Sequence, residues 1–395
     1  MSLPTKDQPE PAPLEPVVCE GSPYEVGLAQ GRGTRDQIRS ARDLFSGLEA
    51  FRFRKPAFVP LAAFRWLAER RARRLWRDRL DAAVPEMSAR LKGIAAGSGA
   101  SVGMLRLLNV LEPLMADLRD QTDVPPPGGC SAIAIDGSKA TDGEPMIARN
   151  FDYLPLVQPL YAMRDTRPTD GLRSLDFIAA PLVGAIDGLN EAGLCITNNY
   201  AYVKDPPTID RTVTMSISEA LGKCSSVAEA IEFLMHRPRW GGGILMLADA
   251  GGDIAALELS NGRAAVRRPT AGEGVLFHTN RFMAAEMADV ELDATACYSD
   301  AAPASLRGKV VHRSSDLRDA RLRELVSGLD GVSPEDLRSI LSDHGPDGEP
   351  SSSTLCMHSD YWYTTASLQL FPRSRRIRIA FDATCRADPV ELALD

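Results

Sequence analysis

Residues 128–153 read GGCSAIAIDGSKATDGEPMIARNFDY, and they determine the architecture that the rest of the chain completes. Two short extended runs, 130–137 and 144–153, flank the polar turn 138–143, a pattern that predicts a β-hairpin. The preceding segment, 119–129, is rich in Pro, Gly and Asp and cannot continue a helix, so we expect an exposed linker there. The chain therefore changes from helix to sheet at Cys130.

The regions on either side of this hairpin have different periodicities. From Tyr24 to about Met115 apolar residues recur at helical spacing, whereas residues 1–20 are rich in Pro and Glu and are expected to form a loose leader. After the hairpin, strands bounded by tight turns alternate with helices, and the chain closes with another hairpin. This order predicts an α+β fold in which mainly antiparallel sheets are sandwiched between helices.

The composition of the 395 residues excludes several classes of protein. Hydrophobic residues make up 44% and charged residues 25%, which excludes disorder or a fibrous repeat for the whole chain. A formal net charge of −8 gives no global positive field for nucleic acid or an anionic membrane. The sequence contains no apolar run of membrane-spanning length and no secretory signal, so we expect a cytoplasmic protein with neither nucleic acid nor membrane as partner.

The cysteines and histidines give no familiar metal or disulfide pattern. Seven cysteines, without C-x-x-C or regular spacing, do not describe a disulfide framework or a zinc site. The five histidines form neither H-E-x-x-H nor any i,i+4 pair. We therefore expect mostly reduced thiols, no metal centre and no cofactor.

Two further patterns have an ordinary structural interpretation. Seven arginines in residues 65–79 are expected on the solvent face of a helix, with docking of nucleic acid or an acyl carrier as the alternative. The buried stripe of that helix is expected to comprise Trp66, Leu67, Leu75, Trp76 and Leu80. Residues 99–103 fit the G-x-S-x-G pattern of serine hydrolases, but the preceding residues predict a helix rather than a strand, which makes Ser101 a helix N-cap.

Cys130 is the strongest candidate for chemistry. Attack of its thiol on the carbonyl of Gly129 would give a thioester that water hydrolyses, and glycine offers a permissive backbone and an unhindered carbonyl. The product would carry an N-terminal Cys130, whose α-amine has a reference pKa of about 7.7–8.0 and suits a base at neutral pH. One residue would then supply both nucleophile and base. An ordinary strand cysteine is the alternative.

The register of the hairpin places polar residues near this thiol. With the turn centred at 139–140, Cys130 lies opposite residues 149–151, so Arg149, Asn150 and Asp152 are expected beside it. A cation and a carboxylate at that position can set the protonation of amine and thiol and hold the substrate.

Several segments in order along the chain match one family. They are Ser22–Gly27, Leu91–Gly97 with Leu108-Asn109, Gly129-Cys130, Ala148–Asp152, Gly188–Leu194 and His278–Asn280. Together they resemble the acyl-coenzyme A:6-aminopenicillanate (isopenicillin N) acyltransferase family of autoproteolytic N-terminal nucleophile (Ntn) hydrolases, which is related to the choloylglycine hydrolases. The resemblance runs from about Gly21 to Val390.

This resemblance implies an αββα Ntn-hydrolase fold made from one self-cleaved chain. The helical α fragment, 21–129, and the catalytic β fragment, 130–395, are expected to remain associated. The residues implied are Cys130 as nucleophile, Asp152 and Arg149 beside its amine, Asn280 in the oxyanion hole, and Asn198 or Asn199 as weaker oxyanion candidates. Many relatives carry Cys-Arg before the last strands, where this chain has Cys356-Met357-His358. Arg318 or Arg149 is the candidate replacement for that arginine.

The implied reaction is hydrolysis of a linear amide of a small N-acyl compound through an acyl-thioester on Cys130. Acyl transfer from a coenzyme A thioester or amide to an amine is the second hypothesis, although no phosphate-cradling loop for coenzyme A is evident. A noncatalytic scaffold that binds a partner through the arginine-rich helix is the alternative of another class.

Overall fold

The computed structural model describes residues 14–47, 55, 58–118, 122–123 and 128–395. Within these residues two β-sheets lie face to face, and helices cover the outer side of each sheet. This confirms the predicted αββα sandwich. Most of the expected leader and most of the expected linker at 119–129 lie outside the described residues.

Helices dominate the chain before Cys130 and return between the strands after it. They are α1 (Pro23–Gly33), α2 (Arg35–Gly47), α3 (Leu61–Leu75), α4 (Pro85–Ser98), α5 (Val102–Asn109), α6 (Leu111–Leu118), α7 (Val213–Lys223), α8 (Val227–Met235), α9 (Arg313–Val326) and α10 (Pro334–Leu341). A π-helical turn, Trp76–Leu80, continues α3. Ser101 caps α5 by accepting a hydrogen bond from the Met104 N–H at 3.0 Å, which confirms the N-cap interpretation. Among the residues that the structure describes, no helix has both the length and the apolar character needed to cross a bilayer.

The first sheet has eight strands, which lie in the order in which they are named here. They are β1 (Val17–Gly21), β4 (Tyr161–Pro168), β5 (Ser174–Ala179), β6 (Asp187–Asn190), β7 (Cys195–Ala201), β8 (Gly242–Ala248), β9 (Ile254–Leu259) and β10 (Ala264–Arg267). The pairing of β1 with β4 is parallel and the other pairings are antiparallel.

The second sheet has six strands and contains the hairpin of Cys130. Its strands, in spatial order, are β11 (Val275–His278), β2 (Gly128–Ile135), β3 (Met146–Tyr153), β12 (Tyr363–Phe371), β13 (Arg376–Ala380) and β14 (Val390–Ala393). In the β2–β3 pair Cys130 lies opposite Phe151, within the predicted range 149–151. The side chains of Cys130 and Phe151 belong to the apolar core between the two sheets.

The end of the expected leader is ordered rather than loose. Val17–Gly21 forms β1, which pairs along β4 from Val17 opposite Arg164 to Gly21 opposite Pro168. The prediction was wrong here because a five-residue edge strand carries little periodicity of its own. The segment before Cys130 therefore contributes one strand to a sheet that otherwise comes from the segment after it.

Buried polar contacts add to this connection between the two parts of the chain. Gln30 Nε2 donates to the carbonyls of Ala180 and Leu182 at 2.9 and 2.8 Å. Arg90 Nη1 donates to Val183 O at 3.0 Å, and Asn109 both donates to and accepts from the same turn. Three side chains from the N-terminal helices thus form hydrogen bonds with the backbone N–H and C=O groups of one buried turn after β5.

Helices α1 and α4 cross at very close range. A Cβ atom added at any of four glycines would lie 2.0–2.4 Å from a backbone carbonyl oxygen of the other helix: Gly27, Gly31, Gly93 and Gly97. No larger residue fits at such a distance, so these glycines are required for space rather than for backbone conformation. Gly27 and Gly93 fall in segments that carried the family resemblance, and the crossing gives their physical reason.

The arginine-rich helix was predicted correctly in part. Trp76 and Leu80 are buried as expected, but Trp66 and Leu67 are 53% and 49% exposed. The side that packs inward carries residues spaced three or four apart, namely Leu61, Phe64, Ala68, Ala72 and Leu75. Trp66 and Leu67 lie off this stripe.

Candidate active site

Cys130 lies at the centre of a buried polar network. It is only 2% exposed, and its backbone N–H donates to Asn280 Oδ1 at 2.8 Å. Its Sγ accepts from Arg149 Nη2 at 3.1 Å, and its carbonyl accepts from Arg318 Nη1 at 2.5 Å. Burial raises the pKa of the thiol to about 11. Separate side chains therefore hold the nitrogen, the sulfur and the carbonyl oxygen of this residue.

Arg149 is directed at the sulfur by a set of fixed acceptors. Its Nη1 forms a short ion pair with Asp187, and its Nε donates to Asn199 Oδ1 at 3.1 Å. Its Nη2 also contacts the carbonyl of Asn198. Because the guanidinium is fully buried and its donors are occupied, it has little freedom to leave the thiol. It touches the sulfur rather than the backbone nitrogen of Cys130.

Asp152 lies on the other face of the hairpin. It pairs with Gly129, and its Oδ1 accepts from Thr364 Oγ1 at 2.6 Å. Its Oδ2 is buried and has no hydrogen-bond partner among the described residues. Burial raises the pKa of this carboxyl to about 7, while Arg318 and the Thr364 hydrogen bond act in the opposite direction. Asp152 therefore lies opposite Gly129 in the strand pair and has one carboxylate oxygen without a hydrogen-bond partner among the described residues.

The expectation that Asn150 lies beside the thiol was wrong. Successive strand residues point to opposite faces, so Asn150 faces away from Arg149 and Phe151. Its amide donates to the carbonyls of Leu341 and Leu355, both at 2.8 Å, on the helix-covered side of the sheet.

Asn280 is oriented by two donors. Its Oδ1 accepts from Cys130 N at 2.8 Å and from Arg318 Nη2 at 2.9 Å, and its Nδ2 donates to Tyr200 O at 2.9 Å. Since a backbone N–H and a guanidinium can only donate, the amide oxygen must face Cys130. In the uncut chain Asn280 thus holds the nitrogen of Cys130 as an acceptor.

Arg318 is one of the two residues that the sequence offered as a replacement for the late arginine. It lies on α9, is 1% exposed, and also donates to Ser131 Oγ at 2.9 Å. Arg318 therefore contacts Cys130 directly, and its role as the replacement for the late arginine stays a prediction. No periodicity or spacing indicated this, because α9 reaches Cys130 only through the packing of the helix on the second sheet.

The two weaker oxyanion candidates occupy different positions. The Asn199 amide nitrogen donates to Thr279 O at 2.9 Å and lies 3.0 Å from His278 Nδ1, while its Oδ1 accepts from Arg149 Nε. Asn198 lines a cavity, and its Oδ1 is buried with no hydrogen-bond partner in the described part of the chain. Asp187, which sequence reasoning missed, accepts from Asn198 N at 2.9 Å. Its signal was a carboxylate directly after the apolar residues Ala185 and Ile186, at the start of a predicted strand.

The two glycines before Cys130 leave little room for a side chain, and the contact is tightest at Gly128. A Cβ at Gly128 would lie 2.8 Å from Asp152 O, and one at Gly129 would lie 3.2 Å from Met357 Cε and 3.4 Å from Arg318 Nη2. Neither glycine has a positive φ. The backbone conformation in the folded chain therefore does not itself require glycine at these two positions.

A cavity of about 370 Å³ approaches this network from the apolar core. Its walls include Leu108, Leu154, Leu160, Leu182 and Tyr153. The Tyr153 ring stacks on Phe151, opposite Cys130, with 5.0 Å between ring centroids. Most of the lining is apolar, so the cavity suits an apolar group, and Asn198 is one of the polar residues that line it.

Comparisons with known proteins identify a family for most of this chain. A family model described as acyl-coenzyme A:6-aminopenicillanic acid acyl-transferase matches residues 139–384. No curated protein matches the chain. Among solved structures, an N-acylethanolamine-hydrolyzing acid amidase ortholog from Caenorhabditis elegans is 14% identical over 62% of this chain and 93% of its own, with a TM-score of 0.42.

Two bacterial structures have similar values. Penicillin V acylase from Agrobacterium tumefaciens is 16% identical over 66% of this chain and 84% of its own, with a TM-score of 0.42. A mutant of conjugated bile acid hydrolase from Clostridium perfringens is 13% identical over 67% of this chain and 97% of its own, with a TM-score of 0.36.

Proposed function

Because this chain belongs to the acyl-coenzyme A:6-aminopenicillanic acid acyl-transferase family, we propose that it cleaves itself before Cys130 and then hydrolyses a linear amide of a small N-acyl compound. The observation that carries the proposal is the triple restraint of Cys130. Arg149 holds its sulfur, Asn280 its nitrogen and Arg318 its carbonyl oxygen. An ordinary strand cysteine requires none of these contacts.

Self-cleavage would begin with the sulfur of Cys130 attacking the carbonyl carbon of Gly129. The thiol proton passes to solvent, and the guanidinium of Arg149 stabilises the thiolate that remains. The C–N bond then breaks, and the leaving nitrogen takes a proton from the Asp152 carboxyl. Water hydrolyses the thioester, which releases the Gly129 carboxylate and leaves Cys130 with a free thiol and a free α-amine.

Turnover would use the same atoms with an external acyl group. The α-amine takes the thiol proton, the sulfur attacks the amide carbonyl, and the proton passes to the departing amine. Water activated by the α-amine then releases the acid from the acyl-thioester. Asn280 Oδ1 and the free oxygen of Asp152 would hold that amine in line with the sulfur.

We expect free acid to be the main product when the purified protein is incubated with a panel of N-acyl amides, even with millimolar amine present. An acyltransferase must hold its acceptor in line and exclude water, which requires a second binding site closed over the first. The cavity that meets the network at Asn198 and Tyr200 is mainly apolar and suits the acyl group. The measurement is product partitioning by mass spectrometry against amine concentration.

A basic cleft supports the second candidate, acyl transfer from a coenzyme A thioester. Its walls comprise Arg70, Arg73, Arg74, Arg77, Asp81 and Arg106, a set of charges that suits a phosphate-bearing donor. Saturable diversion of most acyl groups to one amine, or a strong preference for coenzyme A thioesters that Arg74→Ser abolishes, would establish this candidate and contradict simple hydrolysis.

The raised pKa of Asp152 predicts a pH dependence of stability in the uncut chain. The pKa of this carboxyl is about 7 in the folded chain, compared with 3.8 for an ordinary Asp. Between these two pH values the folded chain keeps a proton that the unfolded chain has lost, so the free energy of unfolding falls as pH rises to about 7. The loss amounts to about 4 kcal/mol, since each pKa unit corresponds to about 1.4 kcal/mol. Cys130→Ala should therefore be less stable at pH 8 than at pH 5.5.

The matched variant is the double substitution Cys130→Ala with Asp152→Asn, which carries no ionisable group at residue 152. Urea unfolding at both pH values should show a smaller loss of stability with rising pH in the double variant. Equal pH dependence in both proteins would contradict a strongly raised Asp152 pKa. In the cleaved enzyme the new α-ammonium would pair with the Asp152 carboxylate. Ionisation of Asp152 would then no longer destabilise the folded protein.

A further inference from the structure

We propose that four side chains form a tetrahedral site for one Zn²⁺ ion: His344, Cys356, His358 and Cys385. Each offers one ligand atom, either a sulfur or a ring nitrogen, and the four atoms all lie within 4.8 Å of one another. Two thiols with two imidazoles is one of the usual ligand sets of structural zinc. None of the four is among the groups that contact Cys130.

Two of the ligand–ligand distances match those around a shared zinc ion, whereas the four atoms as a set lie within 4.8 Å of one another, so the wider pairs would move closer together on binding. Zn–S bonds of about 2.3 Å and Zn–N bonds of about 2.0–2.1 Å give a tetrahedron with edges of about 3.3–3.8 Å. His358 Nε2 lies 3.4 Å from Cys356 Sγ and 3.3 Å from Cys385 Sγ. The two sulfurs therefore approach one nitrogen at the separation that zinc ligands have.

Hydrogen bonds leave one ring nitrogen of this cluster unused. The two thiols can bond to His358 Nε2 and to each other. His344 Nε2, however, is buried and has no hydrogen-bond partner among the described residues, although its ring centroid lies 5.2 Å from that of His358. A metal ion would satisfy both sulfurs and both imidazoles at once.

The ligands come from three separate segments of the chain. His344 follows α10, Cys356 and His358 precede β12, and Cys385 follows β13. This spacing matches no common zinc motif, which is why the sequence led us to expect no metal centre. Cys356 is buried whereas Cys385 is exposed, so an ion can enter from the Cys385 side. With four protein ligands the site has no open position and would be structural rather than catalytic.

Zinc bound here would fix one wall of the Cys130 site. Met357, between two of the ligands, contributes the Cε atom that a Cβ at Gly129 would meet at 3.2 Å. Its N–H donates to Thr364 Oγ1 at 2.8 Å, and that hydroxyl donates to Asp152. Met357 and Thr364 would thus be positioning residues whose placement depends on the metal.

Binding is a simple exchange of bonds. Two S–H bonds are replaced by two S–Zn bonds, both protons pass to the buffer, and the histidines coordinate as neutral imidazoles. No oxidant or reductant takes part.

The test is the metal content of the full-length protein, purified without chelator after expression with added Zn²⁺. We expect about one zinc per chain in the wild type and essentially none in Cys385→Ser or in His344→Asn. Cys385 is exposed, so its replacement leaves the core intact. Cys297→Ser, which removes an exposed cysteine elsewhere, is the matched control and should keep the zinc.

A second measurement keeps the proposal testable if a variant misfolds. Reduced, metal-free wild-type protein titrated with Co²⁺ should develop the intense visible bands of a tetrahedral cobalt–thiolate site, with saturation at one equivalent. Wild-type protein that contains no zinc and gives no such bands would overturn the proposal. A Cys356–Cys385 disulfide in the purified wild type, or unchanged zinc in Cys385→Ser, would also overturn it. The same measurements on Cys130→Ala keep the result independent of the proposed hydrolase.

Discussion

Cys130→Ala is expected to stay uncut near 42.8 kDa and to lose amide hydrolysis by at least about 10⁴-fold, the scale of removing a catalytic nucleophile. Wild-type protein should instead give fragments 1–129 and 130–395 in denaturant. Alanine preserves the Cβ packing against the inter-sheet core but removes the sulfur that Arg149 contacts. Intact-mass spectrometry reports cleavage, and release of free acid reports turnover.

Cys297→Ser provides the control for a general effect of thiol loss, because that cysteine is exposed and separate from the Cys130 network. It should be cut and active. Wild-type protein that stays uncut yet fully hydrolyses an amide would contradict the mechanism. Cys130→Ala that retains every measurable function of the wild type would favour the noncatalytic scaffold.

Asn280→Ala should lower kcat by about 10²–10³ with a smaller change in KM, the usual effect of losing one polar group that acts on the reacting atoms. The substitution leaves the nitrogen of Cys130 and one guanidinium nitrogen of Arg318 without their shared acceptor. In the cleaved enzyme the α-amine would lose its alignment with the sulfur. The measurement is steady-state hydrolysis of one N-acyl amide by fully cleaved protein.

A companion variant separates two roles for this side chain. Asn280→Asp keeps an oxygen acceptor for Cys130 N and Arg318 but has no N–H to donate. If Asn280 holds the amine, as its orientation in the uncut chain indicates, Asn280→Asp should retain much more activity than Asn280→Ala. If Asn280 instead donates to an oxyanion, as the family resemblance implies, both variants should be equally impaired. Wild-type kcat in Asn280→Ala would exclude both roles.

The hairpin could be predicted because the residues that determine its strands and its turn are neighbours in the sequence. Its two runs and its turn are contiguous, and the pairing register of Cys130 follows from the position of that turn. Strands β4 and β5 were not predicted, because residues such as Arg164 and Asp176 interrupt their apolar pattern. These two residues form a buried ion pair, so their charges are compatible with a buried sheet only in the folded chain.

The candidate site was predictable only where its residues lie near Cys130 in sequence or in a recognised motif. Arg149, Asp152 and Asn280 were found in this way. Asp187 and the assignment of Arg318 depend on which strand and which helix pack against the hairpin, and such packing leaves no periodic signal. The four-residue His and Cys cluster was missed for the same reason, since its ligands meet only through the arrangement of three loops.

Strand β1 gives the proposed cleavage a consequence for how the protein unfolds. After cleavage, β1 and the side chains that satisfy the turn after β5 would belong to a different polypeptide from the rest of the first sheet. The mature protein would then be an obligate heterodimer, and its thermal midpoint would rise with protein concentration. Refolding would require the two chains to find each other. The uncut Cys130→Ala chain should refold from urea as a single molecule, whereas the cleaved enzyme should unfold irreversibly at low concentration.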